Sequence, residues 1–478
     1  MNSSGKRRRG VAQAQPMLSR GAARNLPTLA RRFSSLPAQA PTAVTSLPNE
    51  FRIASENTGG ETATVGVWID TGSRYESDAN NGVAHFLEHM AFKGTAKRSQ
   101  MQLEKEVENM GAHLNAYTSR EQTVYYAKVL KKDVPKAVEM LSDILLNSTF
   151  SKDAVERERD VILREMQEVD SQIEEVVFDR LHEVAFVGTP LARTILGPEE
   201  NIKSISVDDI VNYVKTHYTA PRMVLAASGA VDHDQLVQLS AEYFGGVPKT
   251  APPGFSFEYE ASLFSGAEVR DHNDDMEVGH FALAFEGLPW TDPDVFGLML
   301  CQSLLGTFDR KSLATQFSSS PLSSELAKQN FAHTMQPFCT CYNDTGLFGV
   351  YMTSPMNDKD MVSELFARVQ EEIVSLTTGV SDQDLERAKR QLKYNMLQQV
   401  DGTSQNAEEI GRQMLTFGRR MSMAETFARI DGIDAENLQR VAEKVIWDQE
   451  VAFAAIGPNL KYTGDLNALR RGTYWNRM

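Results

Sequence analysis

The sequence predicts an α+β protein built from two homologous α/β halves joined by a linker, and three features predict it. From about residue 50 onward, strand-like stretches give way repeatedly to helix-like ones. A segment with three prolines, Pro248, Pro252 and Pro253, breaks the pattern near the middle. Beyond that break the order of elements recurs. Lys132-Asp133 and Ser151-Lys152-Asp153-Ala154-Val155-Glu156-Arg157 find counterparts in Lys359-Asp360 and Ser381-Asp382-Gln383-Asp384-Leu385-Glu386-Arg387, 227 and 230 residues further on. Two spaced matches at nearly one offset mark a duplication. The chain divides accordingly into a leader and flexible start at 1–44, a first half at 45–246, a linker at 247–265 and a second half at 266–478.

The 478 residues can bury more than one core. A formal charge of −15 argues against nucleic acid as a partner and for a basic ligand or substrate drawn in by long-range attraction. The three cysteines, Cys301, Cys339 and Cys341, are few and odd in number, which suggests a compartment where thiols stay reduced. Cys339 and Cys341 alternate on one face of a predicted strand and read as buried thiols. No uninterrupted apolar run approaches the roughly eighteen residues of a membrane span.

Taken in order, the first 44 residues differ in kind from the rest. Eight basic residues precede Phe33, and no acidic residue appears before Glu50. A basic, acid-free segment containing serine and alanine reads as a mitochondrial transit peptide, with Arg31-Arg32-Phe33-Ser34-Ser35 as its processing site. Removing eight positive and no negative charges takes the net charge from −15 to −23. Next, 51–57 and 63–71 read as strands, the second by its β-branched alternation. A helix follows Asn80-Asn81-Gly82, and a second, at 99–110, stops at Gly111. Strands at 113–117 and 123–130 lead to a helix that Asp133 caps, with Pro135 in its first turn. Ser151 opens a long charged helix to about residue 171, with more helix to 186. Ser206-Val207-Asp208-Asp209 is a capping-box start to a helix ending near His217.

The chemistry is concentrated in His85-Phe86-Leu87-Glu88-His89. On a helix, histidines four apart lie one turn above the other, and Glu88 sits beside them. Two neutral imidazoles suit a zinc ion, leaving Glu88 outside the ligand set to handle protons. The order His-x-x-Glu-His inverts the commoner His-Glu-x-x-His. A third protein ligand is required, and the sequence offers 64 acidic residues for it. The second half has no His-x-x-Glu-His.

Three stretches then carry a resemblance: the run from His85 to Thr95, Asn115-Ala116-Tyr117, and Arg164-Glu165-Met166-Gln167-Glu168. On these the chain resembles the pitrilysin-type inverzincin metallopeptidases, over essentially everything after the leader. The resemblance implies halves that each pack a mainly antiparallel sheet with helices. It implies one zinc ion per chain, with Glu165, 76 positions beyond His89, as third ligand and Glu158 as a supporting carboxylate. Those two are seven apart and share a helical face with Ile162. At the offset of 230 the second half has Ala388 and Asn395 instead, so the copy is non-catalytic.

The resemblance further implies that Asn115, Ala116 and Tyr117 form an edge strand to which an extended substrate adds; an ordinary paired strand reads the same. Phe92 resembles the residue that receives an aromatic side chain just after the cut, a core aromatic being the other reading. Glu175 and Asp179, four apart, match the family's acids that bind an arginine shortly before the scissile bond. From spacing alone they are equally a solvent-facing pair. The partners implied are an α subunit with a glycine-rich loop, forming a heterodimer, and basic presequence peptides in the mitochondrial matrix. Relatives that keep the fold serve as core subunits of the ubiquinol–cytochrome c reductase complex, on the matrix side of the inner membrane. A stand-alone oligopeptidase is the third reading.

Overall fold

The computed structural model describes residues 40–474 apart from 314, 316 and 317. The transit-peptide reading of 1–39 therefore lies outside the described residues. The first sheet is made of β1 (Ala43–Ser46), β2 (Arg52–Asn57), β3 (Thr62–Ile69), β4 (His113–Thr118), β5 (Thr123–Leu130) and β6 (Met223–Gly229), in the order β1-β2-β6-β3-β5-β4. The second is made of β7 (Glu268–His272), β8 (Val278–Glu286), β9 (Phe308–Asp309), β10 (Thr334–Cys341), β11 (Gly346–Pro355) and β12 (Ala452–Gly457), in the order β7-β12-β8-β11-β10-β9. One pair in each sheet is parallel, β2 with β6 and β7 with β12, and the remaining pairs are antiparallel. The predicted α+β duplication is thus the architecture. Among the described residues the first strand starts at Ala43, two residues inside the predicted leader, and pairs with β2.

The helices of the first half are α1 (Val83–Ala91), α2 (Gln100–Met110), α3 (Val134–Leu146), α4 (Lys152–Asp170), α5 (Ile173–Ala185), α6 (Glu199–Ser204), α7 (Val207–His217) and α8 (His233–Phe244). Those of the second are α9 (Val295–Leu305), α10 (Pro321–Gln329), α11 (Lys359–Ser375), α12 (Asp382–Gln399), α13 (Thr403–Thr416), α14 (Met423–Asp431), α15 (Ala435–Ile446) and α16 (Leu466–Arg471). Local rules set most of their ends. Ser99 with Gln102 and Ser206 with Asp209 close capping boxes. Gly111 ends α2 in the left-handed region. Ser151 and Ser381 cap α4 and α12 through Ala154 N and Asp384 N, so the duplicated motif does the same work twice. Asp133 is a correction: its side chain makes no capping bond, because residues 131–133 already form a 3-10 turn that leads into α3.

Each sheet is covered by its own half's helices on one face and by a helix of the other half on the other. Against the first sheet's far face, Ala407, Ile410 and Met414 of α13 pack on Ala54, Trp68, Val124, Val224 and Ala226. Reciprocally, Val177, Leu181 and Ala185 of α5 pack on Ala282, Ala284, Ala452, Ala454 and Ile456 of the second sheet. Double coverage explains why β6 and β12 are buried at every position instead of alternating. Small residues let the crossing helix approach closely. At Gly411 a Cβ would fall 2.2 Å from the Trp68 ring.

Polar contacts join the halves as well. Arg74, 1% exposed, donates to both Asp344 oxygens at 2.7 and 2.5 Å and to Glu121 Oε1 at 2.6 Å. Glu121 also accepts from the backbone N–H of Asn343. The segment 245–267 between the halves is pinned to both, through Arg74 Nη2 to Glu260 O and Ser262 N to Asp344 Oδ2.

Two buried histidines outside the candidate site give a pH prediction. His182 on α5 donates from Nδ1 to Phe178 O and accepts at Nε2 from Tyr342 Oη; burial holds its pKa well below the ordinary value. His217 accepts from Arg222 Nη1, and burial, then the Arg222 charge, lowers it to about 3. Both are neutral when folded, whereas an unfolded imidazole takes its proton near pH 6.5. The unfolded chain therefore binds more protons below about 6.5, and stability is lost as pH is lowered, at up to about 1.4 kcal/mol per unit for each histidine. Thermal unfolding midpoints measured from pH 7 to 5 should drop more steeply for the native chain than for His217→Gln. Parallel profiles would contradict this assignment.

Candidate active site

The helix that carries the motif starts at Gly82, whose φ of 102° lies in the left-handed region. Glycine offers no capping side chain, and the free N–H groups of the first turn are taken by Glu76. Its carboxylate accepts from Gly82 N at 2.8 Å, Ala84 N at 2.7 Å and Asn81 Nδ2 at 2.7 Å, placing an acidic group at the positive end of α1. Val83, Ala84, Phe86, Leu87 and Met90 turn into the first core. That packing fixes the helix's rotation and aims His85 and His89 at α4.

The two imidazole centroids are 4.7 Å apart. Glu165 reaches both rings: Oε1 lies 3.7 Å from His85 Nε2, and Oε2 lies 3.1 Å from His89 Nε2. Three donor atoms from these residues lie within 4.8 Å of one another, and among the described residues no other such group forms. Tetrahedral ligands about 2.0–2.1 Å from zinc stand about 3.3 Å from each other, so these residues fit the metal. Glu158 Oε2 is 3.3 Å from His89 Nδ1, and Lys93 Nζ is 2.8 Å from Glu158 Oε1. An N–H donated from Nδ1 to Glu158 leaves His89 Nε2 with its lone pair free, the arrangement that orients a ligating imidazole. Burial, with the neighbouring His89, lowers His85 to about 4, so it is the neutral form. Burial raises the Glu88 carboxyl above its ordinary value, with Thr118 acting against the rise.

These groups open on a cleft of about 780 Å³ whose wall includes His85, Glu88, Glu165, Tyr117, Glu175 and Asp179. Among the described residues β4 is the edge strand, bonded only to β5, so Asn115, Ala116 and Tyr117 sit where a further strand can add. Glu175 is exposed at the start of α5, while Asp179 already receives Arg120 Nη2 at 2.6 Å. Phe92 is not brought to the cleft wall. It follows the end of α1 and packs on the first core, 6.3 Å from the Tyr125 ring.

Sequence reasoning missed Glu76, Lys93 and Arg120. Lys93, four residues past His89, was open to a spacing argument; Arg120 meets Asp179 across 59 residues with no local signal.

The second half forms the corresponding cavity, of about 690 Å³, between α9, β10 and α12. Asn395 lines it, and Ala388 lies in the second core, so neither acidic counterpart is present. Pro337 of β10 has no N–H, and its carbonyl accepts from Gln302 Nε2 at 3.0 Å. β9 already covers the β10 edge at Thr334 and Met335, and beyond it a proline in the strand and a side chain on the backbone both oppose strand addition.

The fold is duplicated, and among the described residues the grouped His, His, Glu set occurs in the first half alone. The chain belongs to peptidase family M16: residues 52–199 match the Insulinase (Peptidase family M16) profile, and residues 204–392 match the Peptidase M16 inactive domain. It is accordingly a peptidase by family, and its relatives are narrower than the family. The chain is 51% identical over 440 residues to the probable mitochondrial-processing peptidase subunit beta of Arabidopsis thaliana, covering 91% of this chain and 82% of the relative. It is 50% identical over 436 residues to the mitochondrial-processing peptidase subunit beta of Rattus norvegicus, with 91% and 88% covered. For the human protein of that name the identity is 47% over 490 residues, with 99% and 98% covered. A chain in a solved structure of Complex III2 from Candida albicans, Inz-5 bound, has the same fold, with a TM-score of 0.81 over 91% of this chain and all of that one. At 23% identity it shows the fold alone.

Proposed function

We propose that this chain is the catalytic β subunit of a mitochondrial processing peptidase, a zinc metalloendopeptidase that removes basic N-terminal presequences from precursors in the matrix. The observation that carries the proposal is the intact set His85, His89 and Glu165, with Glu88 beside it and Glu158 orienting His89. That set favours cleavage over a purely structural role as a core subunit of a respiratory complex. Relatives at about half identity that are named as this subunit support it.

Zinc held by His85, His89 and Glu165 would supply Lewis-acid polarisation of the scissile carbonyl and acidify a bound water. Glu88 takes that water's proton and returns it to the leaving amine. β4 aligns the substrate backbone along its free edge, and Glu175 and Asp179 receive the arginine before the cut. The idle second half and the absence of a glycine-rich loop at 302–313, where Gly306 is the single glycine, point to an α subunit as the partner that completes the enzyme.

The test is reconstitution of the mature chain with and without an α subunit on a basic presequence peptide. One zinc per chain, cleavage only in the pair, and reversible loss with a chelator are expected. Full turnover by the single chain would remove the partner from the proposal, and chelator-insensitive cleavage would remove the metal. The clamp gives a separate prediction. A charge-assisted bond is worth roughly 1.5–3 kcal/mol, so Glu175→Gln or Asp179→Asn should cut cleavage of an arginine-bearing precursor about ten- to a hundredfold. Its alanine variant should change little, and zinc content should not change. An unaltered arginine preference in both mutants would return the pair to the solvated surface.

A further inference from the structure

β4 poses a mechanical problem. A strand that accepts substrate along its outer edge cannot be held there by another strand, and among the described residues β5 alone flanks it. Its support comes from the other half of the molecule. Tyr117 Oη donates to Glu408 Oε1 of α13 at 2.5 Å, and Glu408 Oε2 accepts from Trp68 Nε1 at 3.2 Å. Trp68 sits in β3 near the centre of the first sheet, 1% exposed, with its ring against Gly411. Glu408 thereby ties the edge strand to the sheet's interior. Just past β4, Glu121 is fixed by Arg74 and by Asn343 N.

We propose that Glu408 is a positioning residue for substrate binding: through Tyr117 it sets the place of the β4 edge beside His85 and Glu88, so the non-catalytic half acts on the substrate-binding step. This rests on the reading of 115–117 as the substrate strand. A backbone held along an edge is bound much the same before and during reaction, so loss of the support should appear in KM.

The experiment uses the full mature chain, alone for amide hydrogen exchange and with its α subunit for peptide cleavage. In Glu408→Ala, amides of 115–118 should exchange at least tenfold faster while those of α1 keep their rates. KM for a basic presequence peptide should rise about tenfold, with kcat within about twofold and zinc unchanged. Glu408→Gln can keep its oxygen for Trp68 Nε1 and turn its amide N–H to Tyr117 Oη, which can accept, so it should restore most of the loss. Tyr117→Phe, which preserves the ring's packing and stands in if the alanine variant misfolds, should match Glu408→Ala. The double variant should add nothing further. Unchanged exchange at 115–118, or exchange raised equally in α1, overturns the positioning role whether or not the chain proves to be a presequence peptidase. Faster exchange at 115–118 with unchanged KM overturns the link to substrate. Absence of cleavage by the unmodified pair overturns the functional reading alone, because the exchange arm still decides on Glu408.

Discussion

Glu88→Gln should reduce peptide cleavage by roughly 10²–10⁴-fold, the usual contribution of a positioned acid–base group, while zinc content stays that of the native chain. The division of labour in the geometry makes the case. The Nε2 atoms of His85 and His89 converge on Glu165, whereas Glu88 lies outside that set and lines the cleft. Glutamine has the same shape, so the packing of α1 should survive, but it cannot take up a proton. The contrast is with the partners of the ring nitrogens. Glu165→Gln should weaken metal binding directly, and Glu158→Gln should weaken it about 10–100-fold by releasing the His89 ring. Metal analysis after dialysis, run beside cleavage kinetics, separates the three. If Glu88→Gln lost zinc as fully as His89→Ala, Glu88 would have to be counted as a ligand.

Arg74→Met should lower the stability of the whole molecule by about 3–5 kcal/mol, the range for breaking a buried ion pair from one side. The guanidinium is 1% exposed and serves two carboxylates, Glu121 from its own half and Asp344 from the other. Methionine fills the volume but leaves both acids without their cation, with the backbone N–H groups of Asn343 and Ser262 still donating to them. Burial already pushes the Glu121 carboxyl up to about 7, against the Asn343 N–H and Arg74. With the cation gone Glu121 becomes neutral at pH 7, which places the loss toward the lower end of the range. Lysine should not rescue it, since one ammonium cannot reproduce two parallel bonds to Asp344. Thermal unfolding at neutral pH reads the effect directly. A midpoint within a degree of the native chain would show that the Asp344 contact contributes little.

Much of the site was legible because its signals are local. Histidines four apart on a helix, serine caps three residues before their targets and a glycine stop are all written within a turn or two. The repeat of Ser151 in Ser381 exposed the duplication for the same reason. What the sequence withheld are contacts that span the chain. An amphipathic pattern tells that α5 and α13 bury a face, but not which sheet receives it. Tyr117 and Glu408 meet across 291 residues. Even Glu76, close in sequence, escaped because a carboxylate reaching six to eight residues ahead falls outside the capping spacings. β1 was missed inside the leader because Ala43–Ser46 gains its strand character by pairing with β2.

The crossed helices also set a clock. During synthesis, residues through 246 are made well before α13 ends at Thr416, and at roughly 5–20 residues per second the interval is about 8–34 s. For that time Trp68, Val124 and Val224 have no cover, and α5 has no sheet to lie on. The first half is therefore the first to be made and among the last to be finished. Until α13 is in place the first sheet keeps an apolar face open, the kind of transiently exposed surface that invites aggregation.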